Sequence, residues 1–269
     1  MTHPTRPPGA AEVIDVAGDG APWMTMVHGM SQDRRVFSKQ VEEFKGRFRL
    51  LLVDLPGHGG AADMGGPYGP HEFALGIEAA LDEAGVDSSD YWGTHTGASA
   101  GLLLAARDPD RFRSLVLEGP VLPDRPMPSV VRAFNRTRAV ARESGIEQAR
   151  KQWFDESEWF AVMRRNPVEC RARQQWEMVC DFRGGPWLDQ GTAQSVPPVA
   201  GLLASLRVPT LVMNGQHDLA DFLEVANELE ALLPNCRRIS VRDGGGFPLW
   251  EYPDRVNVEV WKFLDAIAG

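Results

Sequence analysis

Cysteine is scarce in this chain: Cys170, Cys180 and Cys236 are all there are in 269 residues, with no CxxC pair. An odd, widely spaced set excludes a disulfide framework and fits free thiols in a reducing cytoplasm. Long apolar runs are missing too. The longest cover only a few residues, where a helix crossing a bilayer needs about 20. Met1–Ala10 is proline-rich, carries one arginine and has no apolar stretch, so no secretory signal is expected. Basic runs are absent and the net charge is −9, which argues against nucleic acid and anionic membranes as partners. Metal-ligand spacing is also lacking. His217-Asp218 has no second cluster to pair with, and no other sequence suggests nucleotide binding, so neither a metal nor any other cofactor is expected. The last shortage is of histidine: the six are His3, His28, His58, His71, His95 and His217, and none follows 217.

What remains is an ordinary globular composition. With 43% hydrophobic and 24% charged residues the chain is neither disordered nor fibrous. Its length suits one large domain. Strand and helix patterns alternate. Short apolar runs at Val13–Val16, Trp23–Val27, Leu50–Val53, Tyr91-Trp92 and Leu115–Leu117 read as strands. Arg34–Phe44, Phe73–Ala84 and Ala98–Arg107 read as helices between them, with Pro70 suited to a first helical turn. The alternation resumes at the end with Thr210–Met213, Phe222–Leu233, Arg238–Val241 and Val256–Ile267. This predicts an α/β fold with a doubly wound, mostly parallel sheet, whose ligands bind beyond the carboxyl ends of the strands. The middle has no strand pattern. Helices are expected at Ser129–Ser144, Ile146–Phe154, Glu158–Arg165 and Val168–Phe182, and half of the eight tryptophans lie there: Trp153, Trp159, Trp176 and Trp187. Those aromatics either pack a core of their own or face a substrate.

Five short segments follow strands and carry the chemistry. They are His28-Gly29, Asp54-x-Pro56-Gly57-His58-Gly59, the turn Gly93-Thr94-His95-Thr96-Gly97, the stretch from Pro209 through Gly215 to Asp218, and Gly244-Gly245-Gly246-Phe247-Pro248 with Glu251 and Pro253. In this order and spacing they resemble the α/β-hydrolase family, specifically small single-domain members with a helical cap after the sixth strand. The resemblance covers nearly the whole chain from about Val13. It implies a core formed by residues 11–120 and 208–269, with a cap at 121–207.

The resemblance also implies a mechanism. A nucleophile sits in a strained strand-to-helix turn, G-x-S-x-G, and a later acid and histidine activate it. Here the pattern is broken twice. His95 stands where the serine belongs, and Gly246 where the histidine belongs. Since no histidine follows 217, a Ser-His-Asp cycle cannot run through the usual positions. The acid position, Asp218, is filled. Backbone N–H groups of Met30 and Thr96 are implied as an oxyanion hole, with Gly29 allowing the tight loop.

His95 is expected at a helix N-terminus, which disfavours a charged imidazole and leaves a neutral ring able to act as base or nucleophile. The deletion at Gly246 suggests that His95 fills part of that space and pairs with Asp218, directly or through water. The plain alternative is an inert ring in a turn that has lost catalysis. Glu118 ends a strand and is expected near the mouth of the site, as a support for His95 or as a solvated carboxylate. Ser31 could touch substrate, Ser99 packs inside a helix, His58 is structural, and Glu251 and Pro253 anchor the late loop.

Three readings follow. One is an enzyme that hydrolyses a small ester, thioester, lactone or carbon–carbon bond, or runs a related lyase step. Another is a non-catalytic relative that binds a small apolar ligand beneath the cap. A third is an interaction protein whose cap docks a partner.

Overall fold

The computed structural model describes residues 9–122 and 124–269. Seven strands form one sheet: β1 Ala11–Ile14, β2 Trp23–Val27, β3 Arg49–Val53, β4 Ser89–Thr94, β5 Phe112–Glu118, β6 Thr210–Gly215 and β7 Cys236–Val241. Their order is β1-β3-β2-β4-β5-β6-β7, and every pairing except β1–β3 is parallel. The helices of the core are α1 Ser38–Phe44, α2 Pro70–Glu83 and α3 Thr96–Arg107. Between β5 and β6 come α4 Pro128–Ser144, α5 Ile146–Glu156, α6 Ala161–Arg165, α7 Ala172–Asp181, α8 Gly185–Leu188 and α9 Ala200–Leu203. The chain closes with α10 Ala220–Leu232, α11 Pro248–Glu251 and α12 Pro253–Ala268. None of the described helices is long and apolar enough to cross a membrane.

The central strands β4 and β6 are buried at every position, as apolar strands covered on both faces must be. Successive side chains of a strand point to opposite faces. Tyr91 turns toward α3, where its hydroxyl donates to the Gly97 carbonyl at 2.6 Å. Its neighbour Trp92 turns the other way and meets Phe44 of α1 edge-on, with ring centres 5.7 Å apart. Helices therefore cover both faces, as the doubly wound pattern predicts.

Local departures from the sequence reading have local causes. The first strand is Ala11–Ile14 rather than Val13–Val16, because its register is set by β3 and the chain then turns where Asp15 Oδ1 accepts from Gly18 N. Arg34–Phe44 divides into a 3-10 turn, capped by Asp33, and helix α1. The Val168–Phe182 helix begins only at Ala172, because Arg171 has φ 49°. The helical insertion follows the fifth strand and not the sixth, since a single strand precedes Trp23–Val27 among the described residues.

Close approach of α3 to the sheet depends on small residues. A β-carbon on Gly101 would lie 2.1 Å from the Tyr91 ring, and one on Gly97 2.3 Å from the Val27 carbonyl oxygen. Tyr91 is fully buried and held by its hydroxyl, so it cannot yield. Gly101→Ala should cost roughly 1–3 kcal/mol through overpacking. Thermal unfolding should show a Tm lower by roughly 4–10 °C; an unchanged Tm would mean that α3 has room to retreat.

Candidate active site

Strand β4 ends at Thr94 and helix α3 starts at Thr96, leaving His95 alone in the turn with φ 47° and ψ −105°. A residue with a β-carbon is strained there. Three contacts hold it. Its N–H donates to the Glu118 carbonyl at 2.8 Å, its carbonyl accepts from Ser99 N at 2.9 Å, and Gly97 N donates to the His28 carbonyl at 3.1 Å. Glycines let the chain pass this close: a β-carbon on Gly119 would fall 2.6 Å from His95 Cε1, and one on Gly29 3.2 Å from His95 Cβ.

The His95 ring is buried, wedged edge-on between Phe222 and Phe247 with ring centres 4.8 and 4.7 Å away. Its Nε2 lies 2.6 Å from the Gly246 carbonyl oxygen. A carbonyl only accepts, so Nε2 carries the proton and Nδ1 keeps the lone pair in the neutral ring. Burial pushes its pKa down to about 4, against a smaller upward pull from the Gly246 carbonyl. The ring is neutral at pH 7, as the helix N-terminus suggested, but desolvation is the leading cause.

No direct His95–Asp218 hydrogen bond is formed. Asp218 Oδ2 accepts from Asn214 Nδ2 and Oδ1 from Leu219 N, both at 2.8 Å. Those donors fix the carboxylate within its own loop, so it does not reach the imidazole. Nor is the space at Gly246 open. A β-carbon there would lie 2.6 Å from Trp159 Cβ and 2.8 Å from the Trp159 carbonyl oxygen. The insertion has settled where a histidine at this position would stand.

Glu118 is not at the mouth of the site. It is fully buried, with Oε1 accepting from Thr94 Oγ1 at 3.2 Å and Oε2 from Leu249 N at 2.8 Å. The β5 register turns this side chain inward, where it ties the ends of β4 and β5 to α11. Glu251 accepts from Gly245 N and braces the late loop. Burial raises the pKa of all three carboxylic acids: Asp218 to about 7, Glu251 to about 8, and Glu118 well above the ordinary carboxylate range. Asp218 and Glu251 each also raise Glu118 by repulsion. Asp218 further raises Glu251.

The amides of Met30 and Thr96 donate no hydrogen bond to any described residue. Both residues line one cavity of about 50 Å³ together with His95, Phe134, Trp153 and Trp159. That volume admits a water molecule or two. Small-molecule pockets usually measure about 300–1,000 Å³. Ser31, expected near substrate, is fully buried and accepts from Trp153 Nε1 at 2.7 Å. Ser99 lies inside α3 with its hydroxyl unpartnered among the described residues. His58 is buried between the Pro56 carbonyl and Met30 Sδ and stacks on Phe182; burial pushes its pKa down to about 3. Sequence reasoning did not single out Gln32 and Gln175, which bond to each other at 3.1 Å, and no signal marked them.

A strand-to-helix turn that lifts a side chain above the end of a parallel sheet defines a class of protein. The model of the alpha/beta hydrolase fold matches residues 22–253, and the chain belongs to the α/β-hydrolase family. It is 29% identical to a 2-succinyl-6-hydroxy-2,4-cyclohexadiene-1-carboxylate synthase of Klebsiella pneumoniae subsp. pneumoniae, over 81% of this chain and 86% of that one. It is 26% identical to a pimeloyl-[acyl-carrier protein] methyl ester esterase of Xanthomonas axonopodis pv. citri, over 94% and 99% respectively. The crystal structure of the enol-lactonase from Burkholderia xenovorans LB400 superposes with a TM-score of 0.81 at 22% identity, covering 95% of each chain.

Two predictions come from this geometry. Gly246→His should lower Tm, because the new side chain collides with Trp159. Combining it with His95→Ser should still give no acyl-enzyme by mass spectrometry with an activated ester; a trapped adduct would overturn the steric account. The second concerns pH. Asp218 and Glu251 bind protons more tightly folded than unfolded, so they stabilise the fold below about pH 4 and that contribution is lost as pH rises through about 7 and 8. Thermal scans of wild type and Glu251→Gln at pH 5 and pH 8 should show a smaller fall in Tm for the variant; equal falls would refute it.

Proposed function

We propose that this chain is an enzyme acting on a small activated acyl compound, with His95 as base in place of a serine nucleophile. The observation that carries the reading is that a neutral imidazole and two residues whose amides bond to no described residue line one apolar cavity. In this reading the helical segment 121–207 is the cap, and Met30 N and Thr96 N form the oxyanion hole. Water attacks the acyl carbon and gives a proton to His95 Nδ1 as the carbonyl oxygen becomes an oxyanion between the two amides. The tetrahedral adduct collapses, and the leaving group takes the proton back. Nε2 stays fixed on the Gly246 carbonyl throughout.

A base with a pKa of about 4 gives little driving force for proton abstraction. It suits substrates with good leaving groups, such as thioesters and enol lactones, better than alkyl esters. A carbon–carbon bond cleavage or a lyase step through an enolate would use the same hole. The two curated-sequence relatives described above, a methyl ester esterase and a cyclohexadiene carboxylate synthase, support carbonyl chemistry on a small molecule. Asp218 has no orienting role here, and Glu118 and Glu251 act as braces. With all three cysteines free, we place the protein in a reducing cytoplasm.

A second reading is favoured by a specific observation: the cavity is small and apolar and one His95 nitrogen is already bonded. A protein that binds a small apolar ligand without turning it over would look the same.

The test is turnover of short-chain chromogenic esters and thioesters by wild type, His95→Ala and Asp218→Asn. Thioester hydrolysis should fall roughly 10²- to 10⁴-fold in His95→Ala, while Asp218→Asn stays near wild type. The neutral ring is the active form, so the rate should be level above pH 6 and fall toward pH 4 as the imidazole protonates. If all three proteins match the uncatalysed rate, the binding reading replaces this one.

A further inference from the structure

Two buried hydrogen bonds join the loop carrying Met30 to separate helices of the insertion. Trp153 of α5 donates from Nε1 to Ser31 Oγ at 2.7 Å. Gln32 donates from Nε2 to Gln175 Oε1 of α7 at 3.1 Å, while its own Oε1 accepts from Gly29 N at 3.3 Å. Trp153, Ser31, Gln32 and Gln175 are all buried. Ser31 has φ 60°, a left-handed conformation that a serine adopts only where its surroundings hold it. These residues immediately follow Met30, and Gly29 immediately precedes it. A third link, Arg35 to Asp181 of α7, is largely exposed and worth little.

We infer that Ser31, Gln32, Trp153 and Gln175 are positioning residues that set the Met30 amide by latching its loop to the docked insertion. The inference rests on the reading of Met30 and Thr96 as an oxyanion hole, and extends it to how the hole is assembled. Thr96 N is fixed by α3 and the sheet beneath it. Met30 N sits in a strained loop whose buried polar partners belong to the insertion. Both bonds run from buried side chains of that loop to helices docked on it, so the position of the Met30 amide depends on the insertion being docked. The hole is thus complete only with these helices in place, which keeps its charge-stabilising power away from bulk water.

Neither Ser31 nor Gln175 lines the cavity, so Ser31→Ala and Gln175→Met remove the latch without reshaping it. Two measurements on the full-length protein test the inference. The first is hydrogen–deuterium exchange of the 28–33 segment by mass spectrometry, which needs no turnover. Exchange there should speed up about tenfold or more in each variant, with peptides from β2 and β4 unchanged. The second is steady-state kinetics on the thioester that wild type uses best. Here kcat should fall roughly ten- to a hundredfold at nearly constant KM, because a misplaced donor weakens the transition state more than the bound substrate. The two variants combined should lose no more than the worse one alone. Unchanged exchange in both variants overturns the latch. Faster exchange with unchanged kcat overturns its coupling to Met30. Faster exchange in a protein whose wild type has no turnover supports the latch and refutes the catalytic reading on which its consequence rests.

Discussion

At φ 47° and ψ −105° the His95 backbone lies outside the regions that residues with a β-carbon prefer, at a cost of roughly 1–3 kcal/mol. Everything in the site depends on that cost being met by the surrounding fold. β4 delivers the chain in register between β2 and β5, and the Glu118 carbonyl takes the His95 amide. Helix α3 leaves at once, pressed so closely to the sheet that glycine is needed at 97 and 101. A loosened α3 would let the turn relax, and the side chain of His95 would no longer stand above the strand ends.

Around this turn the charge pattern is unusual. Three carboxylic acids, Glu118, Asp218 and Glu251, are buried behind the site, and none of them touches the one imidazole in it. Each instead accepts from a backbone amide, with a side-chain donor added at Asp218 and Glu118. They brace the ends of β5 and β6 and the loops that follow. Desolvation raises their pKa values. It lowers that of His95, whose charged form is the cation. The same dry surroundings thus favour the uncharged forms of acid and base alike. Such an interior costs less stability than one holding unpaired charges.

The insertion gives this core its particular character. Trp159 occupies the space above Gly246, so the lack of a side chain at that position is matched by helix packing rather than by a void. Trp153 reaches the opposite loop through Ser31 and also packs at a tilt against Trp159 and Trp187. Trp153 and Trp159 of the cluster thus pack the insertion and also line the cavity.

The sequence by itself determined the alternation of strands and helices, the family resemblance and the identity of the residue in the strained turn. Those features are local: apolar periodicity, glycine spacing and the residues flanking each turn are all legible within about ten positions. Counting alone established that no histidine follows 217. Only the tertiary structure decided what each of these groups touches. The bond from His95 to Gly246 spans 151 residues, and that from Trp153 to Ser31 spans 122. Whether Asp218 turns toward His95 or toward Asn214, and whether Glu118 faces solvent or α11, depends on how separate elements pack. A side chain's partner is chosen by the elements folded against it, and burial then sets its protonation; neither is encoded in the few residues on either side.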